Sequence, residues 1–167
     1  MIEILTNLKL IFFVMLFIIL FIFESFYSER EWTSKRFFRL FFHVKIAIIN
    51  TAIIRFPTIF LIIPSLMLIT ENQYGVLNNI DISFALKAVF GLLLLDLAYY
   101  FWHRLNHTNS FLWRFHSVHH LDTQLDVTTS LRFHFGELLL SSLFKTILIL
   151  FLGTPISVFI FYEILLS

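Results

Sequence analysis

The sequence predicts an all-α fold: a multi-pass bundle of transmembrane helices with a histidine-rich helical segment on the cytoplasmic side. Three observations predict it. Apolar residues make up 59% of the chain and charged residues 14%, and the mean hydropathy of +0.87 lies outside the range of soluble globular proteins. Four apolar segments approach the roughly 20 residues that a helix needs to cross a bilayer. Five of the seven histidines fall within residues 103–120.

The first two apolar segments differ in their interruptions. Thr6–Phe26 lacks the small-residue cleavage pattern of a signal peptide, so it predicts a retained anchor, with a membrane-surface helix or a cleaved signal as the alternatives. Ile46–Thr70 contains Pro57 and Pro64. Because proline interrupts a regular helix, this segment predicts either a kinked span or a helical hairpin.

The last two segments flank the histidines. Ile82–Phe101 is an apolar run that ends at the first of them. The fourth segment begins near Leu138 and includes the uncharged run Thr146–Tyr162, which Gly153 and Pro155 interrupt. Both segments are long enough to predict membrane-spanning helices.

The loops between the segments differ in charge. Glu71–Asp81 contains no lysine or arginine, whereas the loop between the first two segments contains five: Arg30, Lys35, Arg36, Arg39 and Lys45. The positive-inside rule places this basic loop and the histidines on the cytoplasmic side, with Glu71–Asp81 opposite. His43 lies in the basic loop and is predicted to be a solvated interface residue. No repeat or linker divides the chain, so residues 1–167 form a single predicted membrane domain.

The spacing of the histidines suits metal binding. His103 and His107 are four residues apart, so on a helix both rings lie on one face. His116, His119 and His120 repeat this geometry with spacings of three and four, and a bend between the two clusters would let them face each other. The alternative without metal is a set of interfacial histidines.

Composition limits the ligands and the partners. The chain has no cysteine, so a metal would be held by imidazole and oxygen, and imidazole suits zinc, copper, iron and nickel. A zinc protease would need a glutamate at Arg104, and a bis-histidine haem would leave three histidines unexplained. The net charge of +1, with scattered basic residues, argues against a nucleic-acid partner.

Three stretches carry a family resemblance. Residues 96–107 read DLAYYFWHRLNH, residues 112–120 read LWRFHSVHH, and residues 129–137 read TSLRFHFGE. They contain an HxxxH and an HxxHH box, in that order, after an apolar helix. The sequence therefore resembles the fatty acid hydroxylase/sterol desaturase superfamily of membrane histidine-box proteins, most strongly over about residues 90–137.

The resemblance implies an oxidoreductase with a non-haem di-iron centre. Such a centre uses O2 and two electrons from an electron donor to hydroxylate or desaturate a membrane lipid or sterol-like substrate, and zinc could substitute for iron. The implied metal ligands are His103, His107, His116, His119 and His120. No further catalytic residue is implied.

Three other residues are expected to support or adjoin the ligands. His134 lies where relatives often have His-Pro-x-Glu, and it is expected to be either a ligand or a residue that hydrogen-bonds Glu137. Asp96 lies two turns before His103 on the predicted helix. It is expected to orient a ligand imidazole or to pair with an arginine, with Arg55 the candidate because an unpaired charge within a span is costly.

Relatives carry a third histidine box after the fourth span, whereas no histidine follows His134. The resemblance therefore implies that the sequence corresponds to the N-terminal portion of such an enzyme and does not turn over a lipid alone. One alternative is a non-catalytic or degenerate metal-binding membrane protein fragment. The other is a metal or proton transporter, for which the ionisable residues within spans are Arg55, Lys87, Asp96 and Lys145.

Overall fold

The structure is a computed structural model that describes the backbone of residues 2–28 and 35–166 and the side chains of residues 11–28 and 35–166. Arg30 of the basic loop lies outside these residues. The described part is helical and contains no strand, which confirms the predicted all-α fold. Its α-helices are α1 Ile2–Phe26, α2 Arg36–Pro57, α3 Ile63–Asn72, α4 Phe84–Thr108, α5 Ser110–His120, α6 Phe135–Leu152 and α7 Ile156–Leu165.

Three helical stretches of the described chain are long and apolar enough to cross a membrane: Arg36–Asn78, Phe84–Thr108 and Phe135–Leu152. They confirm the predicted transmembrane bundle. Ile11–Phe26, the part of α1 with described side chains, is apolar but shorter than a crossing. The N-terminal anchor therefore stays a prediction.

The second predicted span is one continuous helical stretch and not a hairpin. A π-helical turn, Thr58–Ile62, joins α2 to α3, and the backbone keeps right-handed helical angles at Pro57, Thr58 and Ile63. The extra residue of the π turn makes room for the ring of Pro64. In a regular α-helix this ring would clash with the carbonyl of Phe60, four residues earlier. The stretch also begins at Arg36, ten residues before the predicted boundary at Ile46, so most of the predicted basic loop is helical.

The fourth predicted span is two helices. Gly153 adopts a left-handed conformation with φ 65°, which ends α6, and Pro155 precedes α7. Lys145 Nζ lies 2.8 Å from Glu163 Oε2, so α7 folds back along α6. The interruption predicted at Gly153 and Pro155 is therefore a reversal of the chain, and the fourth span is Phe135–Leu152, without the residues up to Tyr162.

The two ends of the bundle have distinct contacts. At one end, a Cβ on Gly75 would overlap the backbone of Gly153, so the α3–α4 loop packs directly on the α6–α7 turn. At the other end, Arg39 of α2 contacts Asp122, just after the histidines. The start of α2 and the histidines therefore share one end, and the loop Glu71–Asp81 lies at the opposite end.

Buried apolar residues and buried polar residues lie mostly in different parts of the bundle. A small buried apolar cluster links α3, α4, α6 and α7: Ile62, Ile69, Leu95, Ile149, Leu152, Phe159 and Tyr162. Most buried polar residues of the described chain lie instead at the histidine end, eight of the twelve: His43, Asn50, Asn106, His116, Asp122, Thr128, Thr129 and Glu137. Because burying polar groups requires partners, this concentration marks the histidine end as the candidate site.

Candidate metal centre

A tight corner between α4 and α5 brings the two histidine clusters together. The side chain of Asn109 caps α5 by accepting hydrogen bonds from the backbone N–H groups of Phe111 and Leu112, at 3.0 and 3.2 Å. Because α5 begins immediately after α4 ends at Thr108, the second cluster returns over the first. The bend predicted between the clusters is present.

The imidazoles of four histidines converge through their Nε2 atoms. The Nε2 of His107 lies 3.2 Å from that of His103 and 3.3 Å from that of His116. The Nε2 of His120 lies 3.1 Å from that of His116. Two nitrogens bound to one metal at about 2.1 Å are separated by roughly 3.0–3.4 Å at tetrahedral or octahedral angles. The nitrogens of His103, His107 and His116 all lie within 4.8 Å of one another, so these three fit one shared ion, and His120 adjoins them through His116.

Glu137 of α6 determines which nitrogen of His116 is free. Its Oε1 lies 2.7 Å from His116 Nδ1, and both residues are buried. Because a carboxylate accepts hydrogen bonds, it favours a proton on Nδ1 and leaves the lone pair of Nε2 directed into the cluster. This carboxylate–imidazole pair is typical of residues that orient metal-binding histidines.

The electrostatics of α5 keep these imidazoles neutral. Burial, together with the neighbouring His107 and His119, lowers the pKa of His116 to about 4. Burial and the surrounding histidines also lower the pKa of His120. Neutral imidazole is the form that binds metal, so the cluster retains free lone pairs near neutral pH.

His119 points away from the four converging rings. Its ring stacks on Phe133, with centroids 4.9 Å apart and planes at 3°. Its Nδ1 and the Oε2 of Glu137 are buried, and neither has a hydrogen-bond partner in the described part of the chain. Buried polar atoms without partners are costly, so this side of the cluster has donor atoms available for a further ligand or ion.

Trp113 forms a wall of the cluster. Its indole lies 5.5 Å from the ring of His107 and 5.6 Å from the ring of His120, between centroids. Sequence reasoning did not single out Trp113, although its position three residues before His116 places it on the same face of α5. The indole shields one side of the converging nitrogens from solvent.

The structure places two of the expected supporting residues away from the converging nitrogens. His134 caps α6, where its Nδ1 accepts the N–H of Gly136 at 3.0 Å. Glu137 makes its side-chain hydrogen bond to His116 and not to His134. Asp96 lies beside Tyr162 of α7. No hydrogen bond or ion pair between Asp96 and a histidine or Arg55 is found in the described residues.

A buried polar network fastens α2 to the segment that follows α5. Arg39 donates hydrogen bonds to Asp122 at 2.7 Å and to the side chain of Gln124 at 2.9 Å. His43 is 2% exposed, and its Nδ1 lies 2.8 Å from Thr128 Oγ1. The prediction that His43 is solvated is therefore wrong, because α2 begins early enough to turn this histidine onto the returning chain.

The sequence did contain a signal for this network. Arg36, Arg39, His43 and Asn50 recur at spacings of three, four and seven residues, which places them on one face of a helix. Asn50 extends the same face by donating to the carbonyl of Phe133 at 2.8 Å. Phe133 stacks on His119, so the network connects α2 to the edge of the cluster.

Comparison with known proteins finds similarity over the second half of the chain. The family model described as fatty acid hydroxylase matches residues 88–167. The chain is similar to an ornithine lipid hydroxylase, OlsE, from Rhizobium tropici, with 38% identity over 76 residues. That match covers 46% of this chain and 23% of the relative's length. No solved structure matches. The sequence from residue 88 to residue 167, which carries both histidine clusters, Glu137 and the α6–α7 hairpin, is therefore similar to the fatty acid hydroxylase family, in agreement with the resemblance of its histidine boxes.

Proposed function

We propose that this membrane protein is a non-haem iron oxidoreductase of the lipid hydroxylase type. The observation that carries the proposal is the convergence of four imidazole Nε2 atoms, each 3.1–3.3 Å from a neighbouring one. The family match supports hydroxylation, and the name of the similar relative supports a membrane lipid as the substrate. Electrons would come from a separate donor.

The donor set fits iron. His103, His107 and His116 would hold one ion, and zinc could occupy the same imidazoles. We propose that His120 and His119 face a second iron, on the side where His119 Nδ1 and Glu137 Oε2 are buried atoms without partners in the described part of the chain. Both sites would need further ligands to complete their coordination.

When bound, iron would supply the activation of O2: with two electrons from the donor, two protons and the two electrons of a substrate C–H bond, one oxygen atom would become a hydroxyl group and the other water. The residues of this chain have positioning roles. Glu137 holds the proton on His116 Nδ1, and Trp113 packs beside the rings of His107 and His120. Asp96, Glu137 and His134 are the three residues that we expected to support the ligands, and Glu137 has the contact that supports such a role most directly.

The test is product formation by the purified chain in lipid nanodiscs, with Fe²⁺, O2, a chemical reductant and a lipid mixture that includes ornithine lipids. Hydroxylated lipid, detected by mass spectrometry and lost in His107→Ala, would support the proposal. An iron-loaded chain that makes no product, alone or extended by a further histidine-bearing segment, would favour a non-catalytic metal-binding protein. Product formed only by the extended chain would support the expected N-terminal portion of an enzyme.

A further inference from the structure

A pocket at the histidine end lies between the start of α2 and the segment that follows α5, outside the histidine cluster. Its volume is about 360 Å³, within the roughly 300–1,000 Å³ of small-molecule pockets. Charged and aromatic side chains both line it: Phe38, Arg39, Phe42, His43, Asp122, Thr123, Gln124 and Arg132. An occupant that matches this lining has a charged group beside an apolar part.

Arg132 is the residue of this pocket that the fold leaves without an acceptor. In the described part of the chain its side chain has no hydrogen bond or ion pair, and its Nε is buried without a partner. Arg39, the other arginine of the lining, contacts Asp122 at 2.7 Å and the side chain of Gln124 at 2.9 Å. Because a buried guanidinium nitrogen without an acceptor is costly, Arg132 points to an external anion.

Asp122, the acidic residue of the lining, does not supply that acceptor. Its Oδ2 accepts hydrogen bonds from Arg39 and from the hydroxyl of Thr129, both at 2.7 Å, and its Oδ1 accepts the backbone N–H of Gln124 at 3.2 Å. Two nearby carboxylates, Glu24 and Asp126, lie outside the lining and contact Arg36 at 2.9 and 3.8 Å. The acidic groups around the pocket are thus paired with cations other than Arg132.

The pocket lies at the depth of lipid headgroups. The stretch Arg36–Asn78 has 43 residues, about twice the roughly 20 that cross a bilayer core, and charged residues are costly in hydrocarbon, so its basic first turns lie outside the core. Phe38 and Phe42 are exposed there, one turn apart, with Phe42 nearer to the core. A phosphate on Arg132 would therefore lie at the membrane surface, with its acyl chains descending past Phe42.

We propose that this pocket binds the phosphate headgroup of an anionic membrane lipid on the Arg132 guanidinium. A guanidinium group binds phosphate through two parallel hydrogen bonds, and basic pockets between transmembrane helices bind anionic headgroups. Arg132 directly precedes Phe133, whose ring stacks on His119, so the lipid would be held beside the histidine cluster. Binding of the lipid requires neither the metal nor the proposed oxidation.

The experiment is native mass spectrometry of the purified chain after incubation with phosphatidylglycerol or phosphatidylcholine of matched acyl chains, with and without excess inorganic phosphate. The parent chain should retain phosphatidylglycerol at least tenfold better than phosphatidylcholine, whose trimethylammonium group would bring a further cation to the arginines. Excess inorganic phosphate should leave the phosphatidylglycerol bound, because the free ion lacks the apolar contacts. Arg132→Gln should remove the preference, while Arg114→Gln, which changes an exposed arginine at the same end, should keep it.

A second variant keeps the test independent of folding. Thr123→Phe fills the pocket at an exposed position without changing charge, and it should lower retention of phosphatidylglycerol at least fivefold. Circular dichroism and metal content should stay parental in both Arg132→Gln and Thr123→Phe, which separates loss of the lipid from loss of the proposed metal centre.

Four results would overturn the lipid site. They are equal retention of the two phospholipids by the parent, displacement of phosphatidylglycerol by inorganic phosphate, the parental preference in Arg132→Gln, and equal losses in Arg132→Gln and Arg114→Gln. If Arg132→Gln loses its helical signal, parental retention in Thr123→Phe would overturn the site in its place.

Discussion

Replacing Glu137 tests whether its contact with His116 strengthens the binding of metal. The Oε1 of Glu137 lies 2.7 Å from His116 Nδ1, with the two residues 7% and 1% exposed. Removing a carboxylate that orients a metal-binding imidazole typically weakens metal binding about 10–100-fold. Glu137→Ala should therefore raise the dissociation constant by that factor, which corresponds to about 1.4–2.7 kcal/mol.

Glu137→Gln provides the graded comparison. The glutamine keeps an acceptor for His116 Nδ1 but loses the charge, and a hydrogen bond to a charged group contributes about 1 kcal/mol more than a neutral one. We expect a loss of about fivefold. The assay is anaerobic competition between the protein in detergent and a chromogenic chelator for Co²⁺, with Glu71→Ala as the control at the opposite end. Parental affinity in Glu137→Ala would refute the assigned role.

Three further predictions concern the surroundings of the site. Co²⁺ should quench the fluorescence of Trp113, whose ring centroid is 5.6 Å from that of His120, and Trp113→Phe should remove most of the quenching. Quenching of the same size in Trp113→Phe would place the metal elsewhere. Arg39→Met breaks a buried ion pair and should destabilise the fold by about 3–5 kcal/mol. The measurement is hydrogen exchange of the backbone after α5, which should become faster in Arg39→Met and stay at the parental rate in the control Lys45→Met. Parental exchange rates in both variants would contradict the network. Single cysteines at Asp81 and Thr123 should label from opposite membrane faces, with Thr123 cytoplasmic; labelling from one face would contradict the topology.

The histidine cluster was predictable because its geometry is local. Spacings of three and four residues place imidazoles on one face of a helix, and the α4–α5 corner separates the two sets by only a few residues. Three of the five predicted ligands, His103, His107 and His116, have nitrogens within 4.8 Å of one another, and their binding of metal stays a prediction. The sequence did not distinguish His119, because its orientation depends on stacking against Phe133, a residue of a distant turn.

The remaining errors concern contacts that are distant in sequence. The partner of His43 is Thr128, 85 residues away, so composition alone suggested a solvated side chain. The start of α2 at Arg36 also depends on distant partners. Asp122 and Gln124 accept hydrogen bonds from Arg39, so this basic segment can be helical, although its charge alone suggested a loop. Gly153 was identified as an interruption, but the contact of Lys145 with Glu163 is what shows that the chain reverses there.

The most direct test of the central claim is the metal content of the purified chain and of two variants after loading with Fe²⁺ under anaerobic conditions. The close approach of the nitrogens of His103, His107 and His116 predicts a bound ion in the parent chain. His116→Ala should lose it, because this imidazole contacts two others. His43→Ala should keep it, because His43 belongs to the separate network with Thr128. Parental iron in His116→Ala, or equal loss in His43→Ala, would contradict a metal centre built from the α4 and α5 histidines.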